Sequence, residues 1–198
     1  EHIIDALADS GITTVTMITG FSGTELQNEI NRIVFPIPVS FCQNDGWERG
    51  NGTSVFAAHN VVREAHFLLT MADHWITQHV NHDHLSMSNI LAVDSHTDNI
   101  NDIDDATKVL MSAGNRIGGI DKKLTNYNAV DCGIFRFRSL DIFPALEHAF
   151  AKQDFSLSGG VRELIHSHKM FWSDIEGEFW QDIDTVSDLE AATRKALG

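Results

Sequence analysis

The run His66-Phe67-Leu68-Leu69-Thr70-Met71-Ala72-Asp73-His74 is apolar for the length of one strand, then ends in a carboxylate followed by an imidazole. Phe67, Leu68, Leu69 and Met71 leave no solvated face, so the run reads as a strand buried on both sides. Strands of that kind belong to parallel sheets covered by helices. Ligands of such sheets bind outside the carboxyl ends of the strands, where Asp73 would sit. A carboxylate there is either a helix cap or a ligand for metal and phosphate. The rest of the chain has to choose.

Upstream, His2 to Ser10 carries Ile3, Ile4 and Leu7 on one helical face, and Gly11 follows as a C-terminal stop. Ile12 to Thr19 is a β-branched strand. Ser22-Gly23-Thr24-Glu25 fits a capping box for a helix bearing Leu26, Ile30 and Ile33. Pro36-Ile37-Pro38-Val39-Ser40-Phe41 is a short strand, its prolines early, where a missing N–H matters least. Asn51-Gly52-Thr53-Ser54 then opens an apolar helix running to Val62.

Downstream, a polar helix is expected from about Trp75 to Leu85, then a strand Ile90-Leu91-Ala92-Val93 ending at Asp94. An acidic loop from Asp94 to Asp105 leads through Thr107 to Met111, Arg116 to Ile120 and Lys122 to Leu124. A strand at Cys132 to Phe137 follows, then helices over Leu140 to Ala151 and Gly160 to His168. The last strand reads as Gly177-Glu178-Phe179-Trp180, and Thr185-x-x-Asp188 caps a closing helix. Helix and strand alternate throughout, which predicts α/β layering. There is no linker, repeat or low-complexity stretch, so residues 1–198 read as one domain.

The chain's 198 residues suffice for one buried core. No apolar run approaches the ~20 residues of a membrane span, and no leader pattern is present, so a cytoplasmic protein is expected. Asp and Glu total 28 against 14 Lys and Arg, a net charge of -14. That balance excludes a nucleic-acid surface, which needs clustered cations, but leaves room for a small phosphorylated ligand. The charge serves solubility and suits a salt-rich cytoplasm. Cys42 and Cys132 lack CxxC spacing and read as reduced thiols.

Two sets of strand-end carboxylates stand out: Asp73, and Asp182 with Asp184 after the Trp180 strand. If both strands are central, their ends converge. Two carboxylates with phosphates and waters are how Mg²⁺ is usually held, and capping of the following helices is the plain alternative. Asp188 belongs to the last helix cap. His74, His79, His82 and His84 invite zinc, but their spacing matches no tetrahedral pattern and a solvated polar helix explains them. The acidic loop lacks the ladder and central Gly of a calcium loop. There is no Gly-x-Ser-x-Gly elbow, and nothing activates Cys42.

Four segments in order carry a resemblance: His66 to His74, Asp104-Asp105-Ala106-Thr107-Lys108-Val109, Asn126 to Phe135, and Phe179-Trp180-Gln181-Asp182-Ile183-Asp184-Thr185. Together they resemble the nucleotidyltransferases that join a nucleoside triphosphate to a sugar or polyol phosphate, above all the inositol-1-phosphate cytidylyltransferases. The resemblance implies a three-layer, Rossmann-like α/β domain with a mixed, mostly parallel sheet. It implies transfer of a nucleotidyl group, CMP from CTP, to inositol 1-phosphate or a similar acceptor, with release of pyrophosphate. Mg²⁺ would be held by Asp73 and Asp182, with Asp184 the lesser candidate. Asn51, Gly52, Thr53 and Ser54 match the loop that reads the nucleobase. Lys108 and Lys123 are the candidate cations for the acceptor phosphate, and Asp131 with Gly133 would line the acceptor side. Fusion to, or association with, a membrane phosphotransferase is the further implication.

One departure cuts against the match. The family begins with a strand and a Gly-rich, basic loop that cradles the triphosphate on backbone N–H groups. Gly20-Phe21-Ser22-Gly23 follows a strand but sits at the family's second strand–helix turn, and it reads as a turn. The chain is therefore expected to lack the first strand and loop, about 30 residues by the span of a βα unit. The rival expectation is a non-catalytic relative that binds a nucleotide or a partner. A zinc or calcium module built on the histidines or the acidic loop is weaker still.

Overall fold

The computed structural model describes residues 2–76, 89–100 and 103–197. The first part runs α1 (His2–Asp9), β1 (Val15–Thr19), α2 (Gly23–Ile30), β2 (Val39–Gln43) and α3 (Asn51–Ala57). Then come β3 (His66–Thr70), β4 (His74–Ile76), β5 (Ile90–Asp94), β6 (Lys108–Ser112), β7 (Arg116–Asp121) and β8 (Ala129–Arg138). The chain closes through α4 (Ser139–Ala151), α5 (Leu157–His166), β9 (Phe171–Asp174), β10 (Trp180–Asp182) and α6 (Val186–Leu197).

The main sheet has the order β3-β8-β5-β9-β7-β6, and the start of β8 also pairs with β6. Strands β3, β5, β9 and β6 point one way, while β8 and β7 point the other. The sheet is thus mixed, as expected of the α/β class. The reversed strands lie between the others, so β5–β9 is the only parallel pairing within it among the described residues. Parallel pairs were expected to be the majority and are the minority. β1 and β2 form a separate parallel pair.

The strand that opened the sequence reading is real, but its neighbours are not those expected. β3 bonds only to β8, antiparallel, and is an edge of the sheet among the described residues. Phe67 and Leu69 pack on the core while Leu68 is half-buried on the other side. An unbroken apolar run reports cover on two faces, not a central position. The core itself lies between the sheet and helices α4 and α5. Leu91, Val93, Val109, Phe137, Ile142, Leu146 and Val161 are fully buried there.

Local chemistry explains several ends. Gly11, at φ 83, closes α1: its N–H reaches Ala8 O and that of Ile12 reaches Leu7 O, the paired bonds of a Schellman stop. At the start of α6, Thr185 Oγ1 donates to Asp188 Oδ2 at 2.7 Å and accepts from Asp188 N at 3.2 Å. The capping box expected at Ser22 does not form. Ser22 is left-handed at φ 48 and its side chain caps nothing. The turn at Gly20 packs on Trp47 instead, where a Cβ on Gly20 would stand 2.6 Å from the Trp47 Cβ.

The polar helix expected from Trp75 is corrected at its start. His74, Trp75 and Ile76 form β4, paired antiparallel with β10 so that Asp182 stands opposite His74. The remainder, with His79, His82 and His84, lies outside the described residues. Phe171–Asp174 is a strand that no pattern announced, and the last strand begins at Trp180, not Gly177.

Candidate active site

Because β8 runs against β3, its start lies beside the end of β3. Thr70 opposes Ile134, and Met71 N donates to Gly133 O at 3.1 Å. Against β5 the register slips from Leu91 opposite Phe135 to Val93 opposite Asp131, so β8 bulges at residues 132–134. Bulges of this kind re-aim side chains beside sites. Gly133 takes φ 72, a backbone region that L side chains rarely adopt, and a Cβ there would also run into the His74 imidazole. Asp131 Oδ1 accepts from Gly133 N at 2.7 Å, and the Cys132 carbonyl accepts from His74 Nδ1 at 2.7 Å.

The ladder of β4 and β10 closes the other wall. Ile183 N donates to Asp73 O at 2.7 Å, and Trp180 Nε1 donates to the buried Asp94 Oδ2 at 3.0 Å, fastening β10 to the end of β5. Between these walls lies a cavity of about 350 Å³. Asp73, Asp131, Gly133, Asp182, Asp184 and Asn51 all line it, as do His74, Lys122, Ser158 and Trp180.

Its electrostatics are those of crowded carboxylates. Burial pushes the Asp131 carboxyl up to about 6, against the opposing pull of the Gly133 N–H and His74. Asp182 is raised by burial. His74 draws it down, but the carboxylates of Asp184 and Asp73 push it up again. Among the described residues no three metal-ligating side chains are assembled into a ready set. Two or three mutually repelling oxygen ligands, with phosphate and water completing the shell, suit a hard divalent cation better than a transition metal. The residues fit such an ion.

Other candidate residues are placed elsewhere. Lys108 is buried, and its ammonium donates to the carbonyls of Asp104 (3.2 Å), Ala106 (3.2 Å) and Lys122 (3.0 Å). It ties down the loop whose Asp105, Ala106 and Thr107 line the cavity. Lys123 is exposed and does not line the cavity; its neighbour Lys122 does, bonded to Asp105 at 2.8 Å. The turn after β7, closed by Lys123 N on Asp121 Oδ1 at 2.9 Å, separates the two lysines. Residue type alone gave no sign of which would face inward.

Of the four residues expected at the nucleobase, Asn51 lines the cavity and accepts from Leu157 N at 2.8 Å. Gly52 meets the backbone of Phe155 and Ser156 instead, where α3 presses on the start of α5. Thr53 Oγ1 donates to Gly50 O at 2.7 Å, and both Thr53 and Ser54 accept from the buried Asn44 side chain at 3.0 Å. These three hold the loop and do not line the cavity. Lys122 and Ser158 are among the cavity residues that the sequence candidates did not include, and His74 reads from sequence as part of a solvated helix. The signal for His74 was its place directly after Asp73.

No family model matches the chain. It is 31% identical over 152 residues to the bifunctional IPC transferase and DIPP synthase of Archaeoglobus fulgidus, across 77% of this chain and 29% of that protein. To the protein of the same name from Rubrobacter xylanophilus it is 30% identical over 210 residues, across 100% of this chain and 45% of the other. The chain thus spans less than half the length of these relatives. Among solved structures, the inositol-1-phosphate CTP transferase from T. maritima superposes with a TM-score of 0.83 at 21% identity, covering 99% of this chain and 80% of that one. UDP-glucose pyrophosphorylase complexed with UDP-glucose gives 0.79 at 12% identity, covering 99% and 85%. By sequence this chain is similar to the bifunctional IPC transferase and DIPP synthase proteins, and it shares its fold with the inositol-1-phosphate CTP transferase from T. maritima and with UDP-glucose pyrophosphorylase.

Proposed function

We propose that the chain transfers CMP from CTP to inositol 1-phosphate or a closely similar polyol phosphate. The observation that carries this reading is the convergence of Asp73, Asp182, Asp131 and Lys122 on one cavity of about 350 Å³. An acceptor phosphate oxygen attacks the α-phosphorus, a new P–O bond forms, and the bond to the β-phosphate breaks with pyrophosphate leaving. Two anions must meet, so the protein's work is positioning and charge neutralisation. Mg²⁺, held by Asp73 and Asp182, would supply positive charge to the phosphates. Asp184 stands next to that pair on the same wall. Lys122 exchanges Asp105 for the acceptor phosphate, while Asp131, Ser158 and the Gly133 backbone offer hydrogen-bond partners to the acceptor's hydroxyls.

No Gly-rich cradle stands among the described residues of the cavity wall. We assign that part to a strand and loop outside residues 1–198. The edges of β1 away from β2 and of β3 away from β8 have no backbone partners among the described residues, and an added strand would find partners there. The relatives carry two activities in their names, so we propose that a phosphotransferase consumes the product, in or beside a membrane on its cytoplasmic side. Among the described residues no helix is long and apolar enough to cross a membrane.

The test is pyrophosphate release from CTP in the full-length protein, with and without inositol 1-phosphate and Mg²⁺. Release should require all three, and Asp73→Asn should lower kcat at least about a hundredfold with the fold unchanged by circular dichroism. Wild-type turnover in Asp73→Asn would remove Asp73 from the mechanism. Nucleotide binding without turnover in the wild type would make the protein the non-catalytic relative.

A further inference from the structure

His74 joins the two walls of the cavity. Its Nδ1 stands 2.7 Å from the Cys132 carbonyl oxygen, on the β8 bulge. A carbonyl only accepts, so Nδ1 carries a proton and donates it to that bond. Nε2 lies 3.8 Å from Asp73 Oδ1, too far for a hydrogen bond. The ring has little freedom. Its side chain is 13% exposed, the Trp180 ring tilts over it at 5.6 Å, and Gly133 lacks the Cβ that would displace it.

We propose that His74 is a positioning residue for the acceptor, acting through Nδ1 and the Cys132 carbonyl. Residues 132–134 are the part of β8 that leaves the regular ladder with β5, so register with β5 alone does not fix the orientation of Cys132 and Gly133. One backbone bond, Met71 N to Gly133 O, and two side-chain bonds do: His74 holds the Cys132 carbonyl, and Asp131 Oδ1 holds Gly133 N. Together they set where the Asp131 carboxyl and the Gly133 backbone face the cavity. His74 follows Asp73 directly, so the same two side-chain bonds, with Ile183 N on Asp73 O, fix the spacing of the metal side from the acceptor side. This inference rests on the transferase reading and deepens it: His74 governs how the acceptor is held, and the triphosphate is indifferent to it.

Amide variants separate the two ring nitrogens. Asparagine places an N–H near Nδ1, glutamine places one near Nε2, and phenylalanine keeps a ring with neither. His74→Asn should leave the acceptor KM within about threefold of wild type, whereas His74→Gln and His74→Phe should raise it about tenfold or more with the CTP KM unchanged. Rescue by Gln and not by Asn would overturn the proposal in favour of Nε2. Equal acceptor KM in all three would overturn it outright. A second measurement needs no turnover. Histidine ¹⁵N spectra should show a proton on His74 Nδ1. The Gly133 amide resonance should move in His74→Phe and His74→Gln and stay in His74→Asn. The opposite tautomer, or an unmoved Gly133 amide in all variants, would refute the tie. A wild-type protein that releases no pyrophosphate with any acceptor overturns the transferase reading instead, and the spectra, taken without substrate, tell that failure apart from this one.

Discussion

A buried ammonium with three carbonyl partners is a fixture, and Lys108 is one. The family resemblance made it a candidate for binding the acceptor phosphate, yet its charge is already spent on Asp104, Ala106 and Lys122. Lys108→Met would strand those three carbonyls. The expected loss is about 2–3 kcal/mol of stability, read from urea unfolding, with kcat at low temperature nearly unchanged. A large fall in kcat at full stability would return Lys108 to the chemistry. Asp131 makes the opposite case. Its carboxyl, at about 6 in the folded chain, lies above the ordinary carboxylate value of about 3.9 in the unfolded one. The folded chain therefore holds the extra proton between those values, so this group's contribution to stability falls as pH rises from about 4 to about 6 and is flat above. Asp131→Asn should remove that slope and, at pH 7, raise Tm while weakening the acceptor. Thermal melts of both proteins between pH 4 and 8 check it. The window is clear of Asp141, which burial would raise but which bonds from Lys169 and Asn89 hold below its ordinary range. Stability from that carboxylate is lost only as pH falls below about 4.

Between elements, the closest approach is α3 against the start of α5. A Cβ on Gly52 would stand 2.7 Å from Phe155 O and from Ser156 carbonyl atoms, and backbone cannot step aside as a side chain can. Gly52→Ala should cost about 1–3 kcal/mol by overpacking and displace Asn51 from Leu157 N, seen as a lower urea midpoint. An unchanged midpoint would show that α5 yields. The element scale also shows what the sequence could tell. Ends governed by nearby residues were legible: Gly11 stops α1, Thr185 and Asp188 cap α6, and Ile90 to Val93 form a strand before Asp94. Features governed by distant partners were not. The reversal of β8, the edge position of β3 and the strand at Phe171 depend on pairings across 40 or more residues, such as Leu69 with Phe135 and Ile90 with Phe171. Trp75 could have continued a polar helix, and only β10, a hundred residues on, makes it a strand. The candidate site divides the same way. Asp73 and Asp182 follow or end strands and could be named from pattern, whereas Asp131, inside the start of β8, is reached only through the family resemblance. Lys122 in place of Lys123 depends on a turn, and a turn hides from composition.

The whole molecule carries a net charge of -14 and gathers Asp73, Asp131, Asp182 and Asp184 around one cavity. Two kinds of repulsion follow, and they answer to different ions. Repulsion spread over the surface is relieved by any salt once the Debye length shrinks, from about 14 Å at 0.05 M to about 3 Å at 1 M. Tm should therefore rise with sodium chloride over that range, and a fall would mean that surface pairs such as Lys122–Asp105 outweigh the repulsion. Repulsion inside the cavity answers to a cation that fits there. At fixed ionic strength, Mg²⁺ at a hundred times its dissociation constant should add about 2.7 kcal/mol, which is about 5–10 °C in Tm for a domain of this size. Asp73→Asn should abolish that increment and keep the response to sodium chloride, because one carboxylate matters little to the surface field and much to a site of two. Asp182→Asn should abolish it as well, and should start from a higher Tm without Mg²⁺, since the folded chain holds the Asp182 carboxyl above its ordinary range. An Mg²⁺ increment that survives in both variants would place the divalent ion elsewhere on the acidic surface. The carboxylates at the ends of β3 and β10 would then serve the acceptor alone.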